Sequence, residues 1–116
     1  MSGIIRTKRE IQSQLSSVLF VEQTCSQINK DLLGISEVFV TSDNLLDNEP
    51  MEGLTNQLLL IFESFNGPEK LSQFIYKVDL PEMDFQEALS KGDWNNLAFL
   101  VIRREAQKVY LKNMFR

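Results

Sequence analysis

From Leu97 to Ile102 the chain reads Leu-Ala-Phe-Leu-Val-Ile, apolar on every side of a helix. Such a helix must be buried on every side, so this stretch constrains the rest of the chain most strongly. Asp93 is a suitable N-cap, because its carboxylate can accept from an unpaired amide of the first turn. Gly92 suits the end of the element before it. Neither Pro nor Gly follows, so a helix is predicted from Asp93 to the end. Ala98, Ile102, Ala106 and Val109 share one face, with Phe99 and Tyr110 beside them. Leu97, Leu100, Leu111 and Phe115 fall on the opposite side, with Arg104 and Lys108 between them. A small domain has little room for a fully central helix. The second stripe is therefore expected to meet another chain; the alternative places it under another helix of the same chain.

The rest of the chain reads as helices joined by short connections. Residues 4–33 form one long amphipathic pattern. Ile4, Ile11, Leu15, Val18, Cys25 and Leu32 lie along a stripe that Val21 and Ile28 widen, and Gly34 closes it. Unbroken, that helix would be about 45 Å long and would overhang a domain of very roughly 35 Å. Residues 35–41 suit either a strand or a short helix; lacking a second strand to pair with, they are assigned to a short helix. Residues 42–50 read as a loop. Leu54, Leu58, Ile61, Phe62 and Phe65 mark a helix over 51–66. Asn66-Gly67-Pro68 turns a corner into a helix that runs to about Val78. Asp79-Leu80-Pro81 breaks that one, and a short helix then closes at Lys91-Gly92. The expected fold is all-α, a small bundle of about five helices in one domain over 1–116. Within it, 51–116 form a compact unit and 1–33 a helix at a possible oligomer interface.

The chain has 116 residues, enough to bury roughly two-thirds of its unfolded surface. With 43% apolar residues, 5 Gly and 3 Pro it is neither a low-hydrophobicity disordered chain nor a turn-rich sandwich. Its single Cys excludes an internal disulfide framework. No stretch is long and apolar enough to span a bilayer, and no signal-peptide core is apparent. A cytoplasmic location is expected, with no membrane role.

The sequence is poor in chemistry. It contains no His, and so lacks the commonest general base and metal ligand. Cys25 lies on an apolar stripe and reads as a core thiol. Glu82, Asp84 and Glu87 form one acidic group and Asp43, Asp47 and Glu49 another, and the loop that holds the latter lacks the spacing and the central glycine of a calcium loop. Acids in loops and first turns ordinarily support helix N-termini. Gly53, Gly67 and Gly92 are isolated, which excludes a phosphate-binding loop. No catalytic residue, cofactor or metal is assigned.

Charge is segregated. Residues 31–93 hold thirteen acids and three bases, whereas residues 94–116 hold five bases and one acid. Arg103, Arg104, Lys108 and Lys112 on the last helix, with Tyr110 and Phe115 among them, form the alternative site, a nucleic-acid surface. Against it stands an isoelectric point near 4.8. The expectation is a non-enzymatic protein-protein interaction module: an adaptor, assembly or regulatory subunit that forms a homo-oligomer, with a dimer first, or binds another protein. Ile11, Leu15, Val18, Leu97, Leu100, Leu111 and Phe115 are its expected interface.

Overall fold

The computed structural model describes residues 17–43, 45 and 49–115. Within them the fold is all-α: α1 (Val18–Leu32), α2 (Pro50–Ser64), α3 (Pro68–Val78), α4 (Glu82–Lys91) and α5 (Trp94–Met114), with no strand. The radius of gyration is 13.4 Å and the extents are 35 × 32 × 25 Å. The described part of the N-terminal pattern is the 15-residue α1, capped by the Ser17 hydroxyl, which accepts from Phe20 N. Such a helix is about 22 Å long and fits within the body.

The helix boundaries follow local chemistry. Pro50 and Pro68 occupy first-turn positions, where the missing N–H costs nothing. Gly67 precedes Pro68 at φ 92° and ψ 173°, a region that side chains other than hydrogen rarely enter. The Asp93 side chain caps α5 by accepting from Asn96 N at 3.1 Å. α3 and α4 end alike: in each, a residue in the left-handed conformation bonds back to the last turn, and the next residue bonds back five positions. At the end of α4, Gly92 N and Asp93 N bond to Leu89 O and Ala88 O. At the end of α3 the left-handed residue is Asp79, at φ 66°, with Asp79 N and Leu80 N both bonding to Ile75 O. This is the Schellman pattern, built once on glycine and once on aspartate.

α5 is the central element. Each of the other four helices packs on it, and Leu97, Ala98, Val101, Ile102 and Ala106 are fully buried. The stretch from Leu97 to Ile102 is thus buried within its own chain except at Phe99, which is half-buried. One connected apolar cluster runs through all five helices, with Ile28, Leu54, Leu58 and Phe74 at its heart.

Residues 33–43 form neither a helix nor a strand, which corrects the short helix expected over 35–41. The reason lies in two amide side chains. Asn29 of α1 donates to Val40 O and accepts from Val40 N, both at 2.9 Å. Gln57 of α2 does the same to Thr41, accepting from its N at 2.8 Å and donating to its O at 3.0 Å. In an extended chain, successive residues present their amide and carbonyl groups to opposite sides. One residue is therefore held by α1 and the next by α2. Side chains replace the neighbouring strand, and the obligatory backbone bonds are met without secondary structure. Val40, Ile35 and Leu45 turn into the core.

Candidate interaction surface

α1 and α5 run antiparallel, and their seam carries a ladder of polar pairs. Lys108 Nζ lies 2.7 Å from Asp31 Oδ2. One turn further along, Lys112 donates to Gln27 Oε1, and Asn113 donates to Gln23 Oε1 at 3.0 Å. Asp31 sits in the last turn of α1, where the helix dipole disfavours an anion. The Lys108 ammonium supplies the compensation.

Beneath Lys108 lies a feature that sequence reasoning missed. Glu105 is fully buried. Its Oε1 is 2.9 Å from Lys108 Nζ, yet neither carboxyl oxygen accepts a hydrogen bond of good geometry. Lys108 also donates to Lys77 O at the end of α3. One ammonium thus faces two acids. Burial pushes the Glu105 carboxyl up to about 9; the adjoining Asp31 carboxyl adds to the rise and Lys108 opposes it. At neutral pH Glu105 therefore keeps its proton, and the cluster is an Asp31–Lys108 ion pair roofing a neutral acid. The sequence signal was present, since Glu105 lies between Arg104 and Ala106 on a helix that is otherwise apolar inward, but its partner Asp31 is remote along the chain.

Arg103 and Arg104, the other two cations of the expected basic cluster, are also engaged within the fold. Arg104 donates from Nε to Asp79 O at 3.2 Å and from Nη2 to Asp79 Oδ2 at 3.0 Å. The Arg103 guanidinium stands 5.6 Å from the Phe99 ring centroid, a cation–π contact. Arg103, Arg104, Lys108 and Lys112 thus go to different neighbours and do not form one strip.

Beyond the ladder the seam opens into a groove of about 640 Å³, lined by Glu22, Gln23, Ser26, Gln27, Val109, Lys112, Asn113 and Phe115. At this end of the pair, α1 begins with Val18 and Leu19, and α5 finishes with Met114, followed by its C-cap Phe115, all exposed. Phe115 is 80% exposed. Of the expected interface residues, Val18 and Phe115 are at this surface and Leu111 is half-buried. Leu97 and Leu100 lie inside the chain's own core, because α5 is surrounded. Ile11 and Leu15 are outside the described residues.

Cys25 is buried, and burial, with the nearby Glu22 charge, pushes its thiol up to about 11. Such a thiol is a poor nucleophile. Glu87 is paired with Lys91 at 3.2 Å and Glu82 accepts from Gln86; Asp47 is outside the described residues. Among the described residues no group of three His, Cys, Asp or Glu side chains is placed to hold a metal, and no helix is long and apolar enough to cross a membrane. Comparison with family models, curated proteins and solved structures found no match.

Proposed function

We propose that this chain is a non-enzymatic protein-protein interaction module, an adaptor, assembly or regulatory subunit that self-associates, with a dimer as the first state. The observation that carries the reading is the apolar end of the α1–α5 pair, where Val18, Leu19, Met114 and Phe115 are each exposed and Phe115 lines the groove. Clusters of this kind at the mouth of a polar-rimmed groove mark association sites. The groove also carries both signs of charge, with Glu22 and Lys112 on its walls. A surface with both signs can meet a copy of itself across a two-fold axis. A cytoplasmic location belongs to the same proposal, since a lone cysteine suits a reducing compartment.

The nucleic-acid alternative gains no support, because its cations are held by Asp79, Phe99, Asp31 and Gln27. Amide chemical shifts followed through a dilution series test the proposal. Shifts confined to residues near 18–23 and 109–115 are expected. A spectrum independent of concentration would oppose it.

A further inference from the structure

A second surface shares no lining residue with the seam groove. It is a cleft of about 430 Å³ between α2 and the first turn of α5, lined by Leu59, Phe62, Glu63, Trp94 and Asn95. Its floor is aromatic: the Phe62 ring centroid lies 6.4 Å from that of Trp94 and 6.4 Å from that of Phe74. Trp94 is nonetheless 45% exposed, and Leu60 on the adjoining helix face is 66% exposed. Glu52, Asn56, Leu59, Leu60 and Glu63 follow one another along that face at helical spacing. Glu52 and Glu63 stand at its two ends, about 16 Å apart along the axis. Among the described residues the walls hold no cation, for α2 contains neither Lys nor Arg and α5 contains none before Arg103. Asp93, the N-cap of α5, adds another acid beside Trp94.

An aromatic cleft between acids, on walls without cations, is complementary to an apolar side chain flanked by Lys or Arg. The geometry points to this cleft as a docking site for a basic, amphipathic segment of another protein. An apolar anchor from that segment lies against Trp94 and Phe62, and its cations reach Glu63 and Glu52. This rests on the reading of the chain as an interaction module, but not on self-association at the seam.

The whole chain is titrated with a short amphipathic Leu/Lys peptide, and with a Leu/Glu peptide of the same pattern, while the emission of its single Trp is followed. The Leu/Lys peptide is expected to shift Trp94 emission to the blue and to saturate, and the Leu/Glu peptide to leave it unchanged. Glu63→Lys should weaken binding roughly tenfold. Glu69→Lys, at a different hollow lined by Ile35 and Tyr76, should leave it nearly as it was. Both glutamates are exposed, so neither change disturbs the core. Equal loss in the two variants would overturn the inference in favour of diffuse attraction to an acidic chain. Calorimetric binding with unmoved Trp94 emission would overturn it by placing the peptide elsewhere. Emission that moves on concentrating the chain alone would overturn it in favour of a second copy in the cleft. Solution mass on the same samples separates the two readings. An oligomer that ignores the peptide loses the cleft and keeps the module; a monomer that binds the peptide at Trp94 loses the seam interface and keeps the cleft.

Discussion

Lys108 Nζ stands 2.9 Å from Glu105 Oε1, one turn away on the same helix, and it also closes the seam by pairing with Asp31. Replacing it by Met keeps most of the aliphatic stem but leaves two acids facing each other under α1. Removing one partner of a buried pair leaves an uncompensated charge, at a cost of roughly 3 kcal/mol. Urea denaturation of Lys108→Met should show that loss. A change below about 0.5 kcal/mol would mean the ammonium is no more than a surface charge.

The same cluster gives a pH dependence. Glu105 is raised in the folded chain from an ordinary value of 4.5 to about 9, so the folded state holds a proton that the unfolded state releases. Its contribution is fully present below about 4.5 and is lost as pH rises towards 9. Between pH 5 and pH 7 the loss should be on the order of 2 kcal/mol. Glu105→Gln should flatten this slope and be the more stable protein at pH 8. The chain has no His to obscure that window, and Cys25 titrates only near 11. Parallel slopes in the two proteins would contradict the assignment.

The two amide clamps should differ in worth. Asn29 holds Val40, whose side chain is buried, while Gln57 holds the exposed Thr41. Asn29→Ala strands an amide and a carbonyl partly away from water and should cost about 1–2 kcal/mol. Gln57→Ala lets water take over and should cost less than about 0.5 kcal/mol. Amide exchange at Val40 should quicken in the first variant and stay slow in the second.

Asp79 holds a left-handed conformation that costs a non-glycine residue roughly 1–2 kcal/mol. Its reward is the exposed ion pair with Arg104, worth at most about 1 kcal/mol. Asp79→Gly should therefore be near neutral in thermal denaturation. Asp79→Val loses the pair and adds β-branched strain, and should destabilise by about 2 kcal/mol. Equal effects from the two changes would show that backbone strain is not the deciding factor.

Much of the fold was legible because punctuation is local. Pro50, Pro68, Pro81, Gly92 and Asp93 fix the helix ends through their own backbone restrictions, and the structure places those ends within a residue or two of the expected ones. Residues 35–41 were not legible, since what holds them are Asn29 and Gln57, on helices either side in sequence. The cations of α5 were misleading for the same reason. In sequence they form a cluster, but in space Arg104, Lys108 and Lys112 are drawn to acids or an amide remote along the chain, and Arg103 to the Phe99 ring one turn back. The apolar run from Leu97 to Ile102 demanded burial all round, and all of it but the half-buried Phe99 is buried. What it could not convey was that four short helices suffice to provide it.

That distinction separates stability from association. Leu97→Ala should cost about 3 kcal/mol of folding stability, as for other buried leucines. Phe115→Asp should cost almost none, because the ring is exposed, yet it should weaken any assembly at the seam.

The most direct test is the solution mass of the chain, measured by light scattering on a sizing column through a concentration series. A mass that rises from 13.4 kDa towards twice that value, and falls back in Phe115→Asp, is the predicted result. A constant 13.4 kDa at every concentration would contradict self-association through the α1–α5 end.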